Sequence, residues 1–109
     1  MSNLTTFARI YPMERREYDI NIMVNNRWVY KVVIDPHYEL KHQDSVSDKT
    51  IIELVKLMDG GTFPVQQRKG DYEYFVTDKL KLKGKLYKLI WLLENEQVYI
   101  GIVNAYRRK

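Results

Sequence analysis

Residues 85–105, KLYKLIWLLENEQVYIGIVNA, contain two strongly apolar runs on either side of a short acidic turn. The first run, Lys85 to Leu93, predicts a strand at the centre of a sheet, because a strand covered on both faces is apolar at most positions. Glu94 to Glu96 are predicted to turn the chain, and Gln97 to Ala105 predict the returning strand. Gly101 inside that strand indicates a bulge or a close approach of two backbones.

A second hairpin is predicted nearer the N-terminus. From Tyr18 to Val24, apolar and polar residues alternate with the period of two that is typical of a half-buried strand. Asn25-Asn26 follow, and asparagine tolerates the positive φ angles that a tight hairpin turn demands. Arg27 to Ile34, rich in Val, Trp and Tyr, predicts the partner strand, and Pro36 ends it because proline cannot donate to a strand ladder.

One helix is predicted after this hairpin. Ser47 is the expected N-cap, and Asp48 stands favourably in the first turn. Four apolar residues then follow at the i, i+3, i+4, i+7 spacing of an amphipathic helix: Ile51, Leu54, Val55 and Met58. Gly60-Gly61 are expected to stop the helix.

The chain between this helix and Lys85 predicts further strands. Thr62 to Gln67 and Tyr72 to Thr77 are strand-like and flank a turn at residues 68–71, whereas residues 78–85 fit either a long hairpin loop or a strand with leucines inward and lysines outward. The order is ββ-α-ββββ, so we expect an α+β fold in which one principal helix packs on a face of a mostly antiparallel β-sheet. Residues 1–16 are expected to form an N-terminal arm or lead-in, and residues 17–109 a single domain.

The composition indicates one small soluble domain. The 109 residues are 45% hydrophobic and 29% charged, which suits a globular core. The chain has no cysteine, which excludes a disulfide scaffold, a thiolate zinc finger and a cysteine nucleophile, and fits a reducing, cytoplasmic location. The longest uncharged apolar run, Leu89 to Leu93, is far shorter than the roughly 20 residues that span a bilayer, and residues 1–10 lack the pattern of a secretory signal.

Positive charge is concentrated in the second half of the chain. The formal net charge is +4, but residues 1–54 sum to −1 and residues 55–109 to +5. A one-sided basic surface favours contacts with polyanions, nucleic-acid phosphates above all. Many soluble proteins also carry lysine-rich solvated faces, so charge alone leaves RNA binding and an ordinary solvated surface as alternatives. The basic residues form two groups: Lys79, Lys81, Lys83, Lys85 and Lys88, and then Arg107, Arg108 and Lys109.

Both histidines of the protein lie in one polar segment, residues 37–42, which reads HYELKH. Imidazole titrates near neutral pH and suits general acid–base catalysis. His37, Lys41 and His42 together supply what metal-free RNA cleavage needs: a base for the 2′-hydroxyl, an acid for the leaving 5′-oxygen and a cation for the charge that builds on phosphate oxygens. The alternative is that they are solvated or capping residues ahead of the helix.

A metal site is not expected, because two histidines with no cysteine would need nearby carboxylates and Lys41 would repel a dication. No glycine-rich phosphate loop is present either, so no cofactor is expected. The chain end supplies a second chemical group: Arg107 and Arg108 suit bidentate phosphate recognition, and Tyr106 can stack on a base or donate a proton. The alternative is an ordinary basic tail.

The last third of the chain, residues 85–108, resembles the closing hairpin of the small ribonuclease toxins of the barnase–colicin–RelE superfamily. In those proteins an apolar strand, an acidic turn and a strand ending in a small residue and arginines follow one another, and a Lys-His pair precedes a helix on an antiparallel sheet. The resemblance covers roughly residues 30–108. It implies metal-independent cleavage of mRNA or tRNA to a 2′,3′-cyclic phosphate, and silencing by an acidic antitoxin or immunity protein.

The resemblance also implies site residues. Lys41 and His42 match the Lys-His pair of colicin-like members, whereas Tyr106, Arg107 and Arg108 match the terminal residues of RelE-like members. We expect His42 to act as general base, His37 or Tyr106 as general acid, and Lys41, Arg107 and Arg108 to stabilise the transition state. Further RNA contacts are expected from the basic residues Arg108, Lys85, Lys88, Lys83 and Arg68.

A second class of function uses the same residues without chemistry. A non-catalytic RNA-binding or protein-interaction module would employ the basic stretch from Lys79 to Lys88 and the exposed tyrosines for backbone contacts and stacking. An immunity protein or antitoxin is disfavoured, because the partners of basic toxins are usually acidic.

Overall fold

A computed structural model describes residues 15–35 and 46–108 of the chain. In this part there are one helix and six strands, in the predicted order ββ-α-ββββ. Their bounds are β1 (Arg16–Val24), β2 (Arg27–Ile34), α1 (Asp48–Leu57), β3 (Gln67–Lys69), β4 (Tyr72–Leu82), β5 (Lys85–Glu94) and β6 (Tyr99–Arg108). The predicted α+β fold class is confirmed.

The six strands form one sheet in the order β1-β2-β6-β5-β4-β3. All neighbours are antiparallel except β2 and β6, which run parallel with Ile34 opposite Ile102. The parallel pair arises because the chain leaves β2, passes through α1 and three further strands, and returns beside β2 from the other side. The strand β6 therefore lies in the middle of the sheet although it is last in sequence.

Side chains from one sheet face pack with α1 to form the core. The helix and its C-cap contribute Ile51, Val55 and Met58, and the sheet contributes a larger set that includes Phe75, Leu89, Trp91, Leu93, Ile100, Ile102 and Ala105. The Phe75 and Trp91 rings stack with their centroids 4.1 Å apart and nearly parallel. Burial of this apolar surface is the main stabilising term of the fold.

The turn between β1 and β2 is the predicted asparagine turn. Asn25 and Asn26 both have left-handed backbones, with φ of 51° and 61°. The Asn25 side chain also binds the Phe63 backbone twice, accepting from its N–H at 2.6 Å and donating to its carbonyl at 3.0 Å. The Asn25 amide takes both backbone groups of Phe63, and bonding to β4 begins only at the Gln66 N–H, which donates to the Tyr74 carbonyl at 2.8 Å. The predicted strand at residues 62–67 is therefore wrong for most of its length, since β3 begins at Gln67.

The last strand is displaced towards the C-terminus relative to the prediction. The predicted turn at Glu94 to Glu96 is present, but Gln97 and Val98 do not belong to β6. The Arg27 guanidinium donates to the carbonyls of Glu94 and Gln97, at 2.7 and 2.9 Å, and so holds this connection as a loop. At the other end β6 continues through Tyr106 and Arg107 to Arg108, so these three residues lie in the sheet.

The N-terminus of α1 is anchored to β1 by one charged cluster. Ser47 is the N-cap as predicted, accepting a bond from the Thr50 N–H. Arg16 donates two hydrogen bonds to the Asp48 carboxylate, from Nε at 2.5 Å and from Nη2 at 2.9 Å. The Tyr18 hydroxyl donates to the same carboxylate. Burial by itself would raise the pKa of Asp48, but the bonds from Arg16 and Tyr18 outweigh it and hold that pKa below its usual value.

We expect the Asp48 cluster to make the fold sensitive to acid. A carboxylate whose pKa is lower in the folded state stabilises the fold above its unfolded pKa of 3.8, and the contribution is lost as the pH falls through the folded pKa. The free energy of unfolding is measured in urea at neutral pH and again below pH 4. On acidification it should fall less for Asp48→Asn than for the parent. Asp19→Asn, at a carboxylate that is 94% exposed, is the control; equal acid sensitivity of Asp48→Asn and the parent would contradict the assignment.

Candidate nucleic-acid interface

The helix covers one face of the sheet, and no helix within residues 15–35 and 46–108 covers the other, which we call the open face. Because side chains alternate along a strand, register decides which residues share that face. Ala105 is opposite Leu89, and both are in the core, so the neighbouring positions on β6 point the other way. Tyr106 and Arg108 therefore lie on the open face.

Tyr106 pairs with a lysine on the neighbouring strand. Lys88 of β5 is directly opposite Tyr106, and its Nζ lies 5.8 Å from the centroid of the phenol ring. A cation at this distance over an aromatic ring is attracted by the ring quadrupole. The sheet therefore holds an ammonium group beside a phenol at one place on the open face.

Further cations surround this pair. In the next row Arg108, Leu86 and Lys81 are opposite one another across β6, β5 and β4. We call Lys81, Lys88, Tyr106 and Arg108 the basic cluster. Lys85, which was also expected to contact RNA, alternates with Leu86 and so lies on the helix side of β5 with Tyr87. One acidic group approaches it, since Arg108 Nε lies 3.5 Å from Asp78 Oδ1. Three cations against one carboxylate leave this end of the open face positively charged, which favours phosphate contacts.

The lysine-rich stretch is a strand followed by a tight turn, which decides between the two predicted alternatives. The strand β4 continues through Leu82, with a register shift between Thr77 and Leu80. Lys83 and Gly84 form the turn, with φ of 52° and 78°. Lys83 Nζ is 3.9 Å from Glu53 Oε2 on α1, so this side chain leans towards the helix side and away from the open face.

Besides Lys83 and Lys85, two further predicted site residues lie apart from the basic cluster. Arg107 is opposite Tyr87, whose neighbours in register belong to the core, so Arg107 points to the helix side, away from Tyr106 and Arg108. Arg68 lies on β3, where its guanidinium binds Glu73 Oε2 at 2.9 Å. Glu73 and the hairpin end of β4 are separated by about 30 Å of strand. Arg68 therefore does not share a phosphate with the cluster.

The predicted acid–base residues His37, Lys41 and His42 lie outside the described residues. The described chain stops at Asp35 and resumes at Val46. Since β2 is parallel to β6 and Ile34 is opposite Ile102, the chain leaves β2 in the direction in which β6 runs to Tyr106.

The open face also carries a cavity that no motif in the sequence indicated. It has a volume of about 500 Å³ and lies between Arg15 and Asp35 at one side and Tyr72 and Tyr74 at the other. The alternation of Tyr72 and Tyr74 on one strand is the one local signal that places two aromatic rings on the same face. The contribution of Arg15 and Asp35 depends on the β1–β2 pairing.

Within the described residues, no helix has the length and apolar character that a membrane span requires. In the same residues, no three histidine, cysteine or acidic side chains come together as a metal site would need.

The chain was compared with models of protein families, with curated proteins and with solved structures, and none of the three comparisons found a match.

Proposed function

We propose that this protein is a metal-independent endoribonuclease toxin that cleaves RNA by attack of a 2′-hydroxyl on the adjacent phosphodiester. The observation that carries the proposal is the basic cluster: a phenol, Tyr106, flanked by Lys88 and Arg108 on the open face of the sheet. Such cleavage needs a cationic site for the phosphate and groups that move protons. The resemblance of residues 85–108 to the closing hairpin of ribonuclease toxins supports the same reaction.

In the proposed reaction, His42 removes the proton from the 2′-hydroxyl, whose oxygen then forms a new bond to phosphorus. The bond from phosphorus to the 5′-oxygen breaks, and Tyr106 or His37 protonates the departing oxygen. The products are a 2′,3′-cyclic phosphate and a 5′-hydroxyl. Lys88 and Arg108, with Lys41, stabilise the charge on the phosphate oxygens. We give this role to Arg108 rather than Arg107 because β6 directs their side chains to opposite faces.

The parallel pairing of β2 with β6 supports a single site. At Asp35 the chain leaves β2 in the direction in which β6 runs to Tyr106, and His37, Lys41 and His42 follow in the sequence.

The proposed partner is an acidic antitoxin or immunity protein. Lys81 and Arg108 of the basic cluster are exposed, and the cluster carries one carboxylate neighbour among the described residues, Asp78. A protein with an acidic surface would compete with RNA phosphates for the same cations, and electrostatic complementarity would speed its association.

A second candidate function is RNA binding without cleavage. It is favoured by one specific observation: the described residues of the open face supply cations and stacking rings, which are sufficient for a salt-sensitive single-strand binder. A nuclease gives discrete RNA fragments in EDTA, whereas a binder gives retention without fragments.

We expect Lys88→Gln to lower the rate of RNA cleavage about tenfold to a hundredfold, because a charged hydrogen bond to the phosphate is worth about 1.5–3 kcal/mol. Cleavage of a labelled RNA is measured in EDTA by gel electrophoresis. The control is Arg68→Gln, which removes one positive charge at the far end of β4 and should retain the parental rate. Equal losses in the two variants would mean that general charge, and not the basic cluster, governs activity.

A further inference from the structure

The cavity on the open face has a flat apolar floor. Four residues in one row across β2, β6, β5 and β4 are opposite one another: Val33, Gly101, Leu92 and Tyr74. A Cβ at Gly101 would come within 2.9 Å of Leu92 Cδ1, so a side chain there would displace Leu92. Because Gly101 has no side chain, Leu92 can extend towards β6, and no side chain of residue 101 fills the cavity. We call this cavity the trough.

One wall of the trough is aromatic. The rings of Tyr72 and Tyr74 have centroids 6.4 Å apart and are tilted by 53°. Both side chains are half-buried, so each keeps part of its ring accessible. The Tyr72 hydroxyl is protonated and can donate a hydrogen bond at neutral pH, and burial, together with the negative charge of Glu94, raises its pKa further. Flat aromatic surfaces of this kind accept nucleobases by stacking.

The opposite wall of the trough carries the guanidinium group of Arg15. Arg15 Nη1 is buried and has no hydrogen-bond partner within the described residues, while Nη2 lies 3.9 Å from Glu17 Oε2. A buried donor without an acceptor is costly, and a ligand with an acceptor edge would satisfy it. Exposed Lys69 adds a second cation at the rim. The trough therefore suits a planar ring with acceptor atoms on its edge and a phosphate attached.

We propose that the trough binds one unpaired purine base of the RNA strand, next to the phosphodiester that the basic cluster holds. A purine offers its N7 acceptor to an arginine, and it presents a larger surface for stacking on tyrosine than a pyrimidine does. The trough and the cluster share the open face, since Leu92 and Lys88 are four positions apart on β5, about 13 Å along the strand. This inference rests on the proposed function, which supplies the RNA.

The test uses the full chain and short 2′-O-methyl oligonucleotides, which lack the nucleophilic hydroxyl and so cannot be cleaved. An all-uridine oligonucleotide is compared with two others that carry a single adenine or a single guanine, and binding is measured by fluorescence anisotropy. We expect about threefold to tenfold tighter binding of both purine-containing oligonucleotides. A uracil in the trough would also stack, so the gain comes only from the larger purine ring and its N7 acceptor.

Tyr74→Leu should remove the purine preference, because leucine keeps apolar contact but offers no ring. Tyr30→Leu is the matched control, since Tyr30 is 46% exposed on β2 and does not line the trough; it should keep the preference. Arg15→Gln serves as a second variant, and circular dichroism confirms that each variant folds.

Two outcomes overturn the inference: equal binding of all three oligonucleotides by the parent, or an unchanged preference in both Tyr74→Leu and Arg15→Gln. The proposed function is judged separately by cleavage of ordinary RNA in EDTA. A parent that prefers purines but never cleaves RNA keeps the trough assignment and refutes the nuclease. If the parent cleaves RNA but binds all three oligonucleotides equally, the nuclease assignment stands and the trough assignment is refuted.

Discussion

Replacing Tyr106 with phenylalanine is expected to lower the rate of RNA cleavage about a hundredfold to a thousandfold, the usual range for loss of a general acid or base. The change removes the hydroxyl alone. The ring remains half-buried opposite Lys88, so the cation–π contact is kept. Cleavage is followed with a labelled RNA in EDTA, and thermal unfolding is recorded for the same preparation.

Tyr30→Phe is the control for Tyr106→Phe, since it removes a phenol hydroxyl from an exposed tyrosine outside the basic cluster. His42→Ala is the second variant in this experiment, and it is expected to lower the rate of RNA cleavage by a comparable factor. If His42 is the base, its removal should abolish the ascending limb of the pH–rate profile, whereas Tyr106→Phe should leave that limb in place. Parental cleavage by Tyr106→Phe would remove Tyr106 from the reaction, and parental cleavage by His42→Ala would remove His42.

Replacing Trp91 with alanine is expected to lower the free energy of unfolding by about 3–5 kcal/mol, as large-to-small changes of buried aromatics do. Trp91 has no exposed surface and lies on β5 at the centre of the sheet. Its ring stacks on Phe75 at 4.1 Å and meets the edge of Phe63 at 5.5 Å. Its Nε1 also donates to Thr77 Oγ1 at 2.9 Å, and this bond would be lost with the ring. Urea unfolding followed by circular dichroism gives the difference.

The matched control for Trp91→Ala is Trp28→Ala, at the other tryptophan of the chain. Trp28 is 52% exposed on β2, so its replacement should change stability by about 0.5 kcal/mol. Comparable losses at the two tryptophans would show that Trp91 is not the centre of the core.

Several elements of this fold are predictable because their causes are local. The turn at Asn25 and Asn26 requires positive φ, which asparagine tolerates, so two neighbouring residues reveal it. The start of α1 requires an oxygen that accepts from the first free N–H groups, and Ser47 supplies it. The apolar run at Lys85 to Leu93 likewise reflects the burial of β5, whatever its partners are.

The candidate site is predictable only in part, because composition shows which residues are basic and not which are neighbours. Lys88 and Arg108 were both expected to contact RNA, and register places them on one face with Tyr106. Arg68 has the same charge and was expected to do the same, but it lies on β3 and pairs with Glu73. The trough was not predicted at all, since its two walls come from β1–β2 and from β3–β4.

The order of elements, the turn at Asn25-Asn26, the end of α1 ahead of Gly60-Gly61 and the face of α1 that enters the core are readable from the chain, because each depends on residues a few positions apart. Folding of the whole chain was needed to show that β6 runs parallel beside β2, that Arg107 and Arg108 face opposite sides, and that a cavity opens above Gly101. The physical reason is that strand pairing joins backbone groups distant in the chain, and these groups are chemically alike in every strand. The choice of partner and register therefore depends on how the whole apolar surface is best buried, which no short stretch of residues specifies.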